Sequence, residues 1–123
     1  YYPDEGSSNT EDYRNASFAL QNNLAIYGGF VGNEAINYDL SLRDFVLNET
    51  ILSGEIQQDG DSTNNSFHVI FNQRTPKDSL RTSAVLDGFT IMQGNANGSN
   101  FPVNSGGGIF NQFASPTLSK CTF

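Results

Sequence analysis

The sequence predicts an all-β fold in which short strands stack as the successive coils of a solenoid. Three observations lead there. Ten Phe and five Tyr, with no Trp and one Met, suit stacked sheets better than a Leu/Met helical core. The apolar residues fall in short runs bounded by Gly, Asn, Asp and Ser, which is strand-and-turn chemistry. The tetrapeptide Ile70-Phe71-Asn72-Gln73 recurs unchanged as Ile109-Phe110-Asn111-Gln112, and internal repeats of this kind mark stacked architectures.

Along the chain, residues 1–17 are polar and turn-rich and read as an irregular lead-in. Strand candidates follow at 18–20, 24–31, 50–56, 67–71, 84–92, 108–110 and 117–123. Residues 38–47 are the one stretch whose apolar spacing would allow a short helix. A second repeated segment lies downstream of each tetrapeptide, so that 85–91 aligns with 117–123. Leu86, Phe89 and Ile91 then match Leu118, Cys121 and Phe123. The last two of each trio share a strand face, and the wider spacing before them requires a bend.

The gap between the two repeated segments differs by seven residues, which places a loop insertion near 74–83. Asn at recurring turns can adopt left-handed geometry and hydrogen-bond between coils. At roughly twenty-odd residues per coil, residues 18–123 would form about four to five coils. The expected interior is Leu52, Ile56, Val69, Phe71, Leu86, Phe89, Ile91, Ile109, Leu118 and Phe123. A β-sandwich is the competing fold. It would need cleaner alternation and hairpin turns, and the Asn97-Gly98 dipeptide has no strand close behind it.

The 123 residues hold one domain at most, with 15% charged residues against roughly 25% in typical soluble domains. Asn, Ser, Thr and Gln supply the remaining polar surface. The net charge of −7, from six bases and thirteen acids, argues against nucleic acid as a partner and against anionic membranes. No apolar run reaches the roughly 18–20 residues of a membrane span, so no membrane insertion is expected in this segment. Cys121 is alone, which excludes a disulfide framework and a cysteine-based metal site.

Few residues carry chemistry. Asp59-Gly60-Asp61 has the carboxylate density of a calcium loop, although the further ligands of a specific loop pattern are missing. Asp59 and Asp61 are therefore the metal candidates, calcium is the one cofactor the sequence admits, and a solvated turn is the simpler account. Asp87 has Ser119 as its repeat counterpart, which makes it positional rather than catalytic. His68, the single histidine, alternates against Phe67, Val69 and Phe71 and is expected to point outward. Arg43, Arg74 and Arg81 are the bases a lyase would draw on, with ordinary surface charge as the simpler account. Gly28-Gly29 and Gly106-Gly107-Gly108 lack the helix and Lys-Ser/Thr of a phosphate loop, so sharp turns explain them better. Asn15, Asn48, Asn64 and Asn97 begin glycosylation-type tripeptides, which so Asn-rich a chain generates by chance. No catalytic residue is assigned.

The segments 25–34, 48–56, 65–70, 84–91 and 106–111 with 115–118 form a connected pattern. It resembles the right-handed parallel β-helix modules of large bacterial surface and secreted proteins, pectate-lyase-like in fold and related to polymorphic outer-membrane protein repeats. The resemblance implies a β-helix truncated at both ends, a fragment whose open strand edges invite pairing. It further implies an extracellular or cell-surface location and a non-enzymatic role as a stalk or adhesive surface, with a cell-surface glycan or protein as partner. The alternative it implies is a carbohydrate-active enzyme, a polysaccharide lyase or hydrolase. Fold does not decide between them.

Overall fold

A computed structural model describes residues 1–5 and 13–123. The part of the expected lead-in at 6–12 lies outside the described residues. Among the described residues seven short strands form three sheets: β1 (Ala25–Tyr27), β2 (Ile51–Ser53), β3 (Ile70–Gln73), β4 (Val85–Asp87), β5 (Thr90–Met92), β6 (Ile109–Gln112) and β7 (Thr117–Ser119). The sheets have the orders β1-β4-β7, β2-β5 and β3-β6, and every ladder is parallel. Isolated parallel bridges add Phe18 beside β3 and Thr122 beside β5. The protein is therefore strand-rich with parallel sheets, and the hairpin ladders a sandwich would require are absent among the described residues.

The order in which the chain visits these sheets is cyclic. Phe18, β1 and β2 lie one in each sheet; β3, β4 and β5 repeat the circuit; β6, β7 and Thr122 repeat it again. Among the described residues the circuit is made three times, and the connections at 28–50, 54–69 and 93–108 are long excursions between sheets.

Register follows the sequence repeat residue by residue. Ile70, Phe71, Asn72 and Gln73 pair with Ile109, Phe110, Asn111 and Gln112. Val85, Leu86 and Asp87 pair with Thr117, Leu118 and Ser119, and Thr90 bridges Thr122. Side chains reinforce the backbone ladder. Asn72 Nδ2 donates to Asn111 Oδ1 at 2.9 Å, and Gln73 Nε2 donates to Gln112 Oε1 at 3.0 Å. At the bend after β4 and β7 the equivalent residues Gly88 and Lys120 both take positive φ, 83° and 51°. Among the described residues Asn23 is the only asparagine with positive φ; the others are Gln58, Gln93, Phe113, Lys120 and glycines.

The insertion at 74–83 appears as a tight excursion closed by the antiparallel Thr75–Asp78 bridge. Leu80 then rejoins the repeat by bridging Ala114. The helix allowed at 38–47 is reduced to one 3₁₀ turn, Leu40–Leu42, capped by Asp39. Tyr1 is tied in as well: its amino group donates to the Ile51 carbonyl, and Ser53 N–H donates to the Tyr1 carbonyl, which lays Tyr1 along β2.

The core comprises Leu20, Leu52, Val69, Ile70, Leu80, Ala84, Leu86, Phe89 and Ile91, with Ile109 and Cys121 half-buried against it. Ile56 is also buried. Three expected interior residues are corrected. Phe71 is half-buried on the opposite sheet face because Val69 and Ile70 both point inward, breaking the alternation one residue before β3 begins. Leu118 and Phe123 are exposed, since no further rung among the described residues covers the inward side of their tier. Leu80, assigned to the loop by composition, is in fact core.

Candidate functional site

The excursion at 28–50 leaves the C-terminal end of β1 and carries the largest run of exposed aliphatic residues. Its footing is a buried ion pair. Arg43 Nη2 meets Asp87 Oδ1 at 2.6 Å, with both side chains shielded from solvent. Arg43 also donates through Nε to the Leu40 carbonyl at 2.8 Å and through Nη1 to the Gly28 carbonyl at 3.0 Å. Its guanidinium lies over Tyr27 and Phe45, 4.9 and 5.0 Å from the ring centres. Burial alone would raise the Asp87 pKa. The Ser119 and Arg43 hydrogen bonds and the Arg43 charge outweigh it, and the carboxyl sits below its ordinary range. The expectation of Arg43 as ordinary surface charge is corrected: a planar five-donor group is what this carbonyl-lined corner accommodates.

Above that footing three carboxylates fix the turns that present the aliphatics. Glu34 accepts the N–H groups of Val31 and Gly32. Asp39 accepts Ser41 N–H at 2.9 Å, and Asp44 accepts those of Val46 and Leu47, both at 2.9 Å. Local side-chain-to-backbone bonds of this type define a turn without neighbouring strands. Backbone N–H donation also lowers the pKa of Asp39. For Glu34, desolvation pulls upward and is outweighed by the surrounding backbone N–H groups, giving a net lowering. The result is an ordered crest that exposes Val31, Ile36, Leu42, Val46 and Leu47.

The residues singled out from sequence sit elsewhere. Asp59 Oδ1 accepts Asp61 N–H at 2.9 Å and Asp59 Oδ2 accepts Asn64 Nδ2 at 2.9 Å. Asp61 accepts the hydroxyl and N–H of Thr63, which lower its pKa, and caps the 3₁₀ turn Ser62–Asn64. Both carboxylates thus hold their own loop together. Among the described residues no group of three or more His, Cys, Asp or Glu side chains is placed to hold a metal ion. Arg74 donates to the Leu20 carbonyl at 2.8 Å, while Arg81 is exposed on the insertion.

His68 faces away from Val69 as expected but is buried, not exposed. Its ring stacks on Phe71 with centroids 4.8 Å apart, and Phe71 stacks on Phe110 at 5.1 Å under Phe101. The Gly106 carbonyl can only accept, so the 3.1 Å contact assigns the proton to Nδ1. Nε2 is buried without a hydrogen-bond partner among the described residues. The glycine runs serve geometry. Gly29 and Gly106 have φ of 87° and 73°, and a side chain on Gly28 would strike the Gly88 carbonyl.

An open apolar cleft of about 340 Å³ lies at the first tier, lined by residues including Tyr1, Phe18, Ile26, Leu52 and Phe89. Among the described residues its lining has no titratable group beyond Tyr1 and Tyr27. Among the described residues no helix is long and apolar enough to cross a membrane. No protein-family model, curated protein or solved structure matches the chain. What fold and site together define is a strand-rich, parallel-sheet protein with an anchored aliphatic excursion at one corner.

The crest escaped the sequence reading because Arg43 and Asp87 are 44 residues apart and share no motif. The usable signal was Leu40, Leu42, Phe45, Val46 and Leu47 crowded together with neither a strand nor a full helical period.

Proposed function

We propose that the chain is a segment of a right-handed parallel β-helix that acts as a non-enzymatic extracellular scaffold within a larger bacterial surface or secreted protein. Its corner excursions provide the binding surface. The observation that carries this reading is the cyclic visiting order, three circuits through three sheets with every ladder parallel. Parallel crossovers are right-handed in about 98% of cases, which supports the handedness. Stacking in this manner yields a rigid rod whose tiers depend only on their neighbours. The polar groups add support, because Arg43, Asp87, Asp59 and Asp61 are engaged in structural bonds.

The test has two arms. Amide hydrogen exchange should find β4, flanked on both edges, more protected than β1 or β7; uniform or reversed protection would overturn the stacked-tier reading. A panel of acidic and neutral polysaccharides, with and without calcium, should give no turnover. Turnover abolished by changing Asp59 and Asp61 to Asn would instead establish the carbohydrate-active alternative.

A further inference from the structure

We propose that the crest at 28–50 docks into the cleft beside the 74–83 insertion of a second copy of this chain. This rests on the scaffold reading, whose corner excursions it assigns to a partner. The crest is unusual in its exposure: Ile36, Val46 and Leu47 are 107%, 89% and 82% accessible. Side chains so exposed normally fray with their loop, yet here Glu34, Asp39 and Asp44 lock the turns and Arg43 fixes the base. A preordered apolar surface loses little conformational freedom on binding.

Charge selects the occupant. The crest carries Glu34, Asp39, Asp44 and Glu49, and its one base, Arg43, is consumed by Asp87. An anionic membrane would be repelled, so the matching surface is one that sets cationic groups beside apolar contacts. The chain itself offers one: an open depression of about 630 Å³ whose lining mixes Pro76, Phe113 and Ala114 with Ser79, Arg81 and Thr82. The insertion beside it holds Arg74, Lys77 and Arg81, three of the six basic residues. Neither Lys77 nor Arg81 pairs with a carboxylate among the described residues. Phe113, half exposed at the mouth, offers the apolar contact.

Topology favours an intermolecular contact. The crest follows the C-terminal end of β1, whereas the insertion leads into the N-terminal end of β4, and these strands are parallel neighbours. Crest and cleft therefore leave opposite ends of one sheet, which favours a contact between chains over one within a chain. Joined between chains in one direction they give a heterologous contact, which builds rows or closed rings.

Sedimentation equilibrium of the chain tests this with two double variants, V46S/L47S and K77E/R81E, all four positions being exposed. The wild type should self-associate in a concentration-dependent manner. The association should weaken roughly three- to tenfold between about 0.1 M and about 1 M salt, as expected for two rim pairs. Each double variant alone should be monomeric, and an equimolar mixture should form a one-to-one complex, since one retains the cleft and the other the crest. Ile36→Ser provides the same crest test should V46S/L47S alter the circular dichroism. A monomeric wild type, variants that associate like wild type, or a mixture that stays monomeric overturns the proposal. A monomer that keeps the β4 protection pattern leaves the scaffold reading intact; loss of that pattern overturns the scaffold reading itself.

Discussion

Arg43 of the 28–50 excursion and Asp87 of β4 meet at 2.6 Å in a buried ion pair, which ties a surface excursion to the middle strand of the three-stranded sheet. The pair has little worth as an isolated attraction, because burying both charges costs nearly what their contact returns. Its cost when broken is large. Arg43→Met leaves the buried Asp87 carboxylate without its ion-pair partner and should destabilise the protein by about 3–5 kcal/mol. Combining it with Asp87→Asn should cost clearly less than the sum of the two single changes. Urea unfolding of the four proteins checks this; additive losses would show that the two groups act independently.

The same pair sets an acid dependence. The Asp87 pKa is lowered in the folded protein because hydrogen bonds from Ser119 and Arg43, with the Arg43 charge, overcome the opposing effect of burial. The unfolded chain therefore binds this proton first as pH falls. The stabilisation is fully present above the ordinary Asp value of about 3.9 and is lost as pH drops through the folded value. Thermal melts at stepped pH should show stability falling below about pH 4, and Asp87→Asn should flatten that fall. An unchanged slope in the variant would assign the acid sensitivity to other carboxylates.

The fold was more legible in the sequence than the site, for a physical reason. A parallel ladder between repeated segments places each residue beside its repeat equivalent, so aligning Ile70-Phe71-Asn72-Gln73 with Ile109-Phe110-Asn111-Gln112 already supplies the register. Periodicity failed where the backbone left the strand. Val69 and Ile70 both enter the core, which no alternation can anticipate, and this displaced Phe71 from its expected face and brought it against His68. The Arg43–Asp87 contact joins a non-repeating excursion to a strand, and nothing local in either segment encodes the meeting.

Gly88 separates two effects that glycine substitutions usually mix. Its φ is +83°, and a Cβ there would lie 2.5 Å from the Phe45 ring. Gly60 has φ +79° with open space around it. Gly60→Ala should therefore cost only the left-handed backbone penalty of about 1–2 kcal/mol. Gly88→Ala should cost that and a further loss from displacing Phe45, the ring that packs on Arg43. Equal costs in chemical denaturation would mean that Phe45 moves aside freely.

Phe89 turns the bend between β4 and β5 into the core and is nearly inaccessible. Phe89→Asp places a charge there with no cation to meet it, and an unpaired buried charge is costly enough to abolish folding. Far-UV circular dichroism should lose its strand signal, whereas Phe123→Asp, on an exposed ring, should retain it. Retention in both would refute the core assignment.

Asn72 shows how an interior polar residue can hold tiers together. It is almost wholly buried. Its Oδ1 accepts Leu20 N–H at 2.9 Å from the preceding tier, and its Nδ2 donates to Asn111 Oδ1 at 2.9 Å in the following one. Asn72→Ala removes both bonds and strands the Leu20 N–H away from water, a loss of about 1–3 kcal/mol from the unsatisfied group alone. The neighbouring Gln73–Gln112 pair has the same amide-to-amide form at 3.0 Å but is solvent-exposed. Water replaces what Gln73→Ala removes, so that change should stay within about 0.5 kcal/mol. Hydrogen exchange sharpens the comparison: Asn72→Ala should raise the exchange rate at Leu20 specifically, while Gln73→Ala leaves it unchanged. A Leu20 amide that remains protected in Asn72→Ala would mean that another acceptor takes over, and the polar link between the first two tiers would then lie elsewhere.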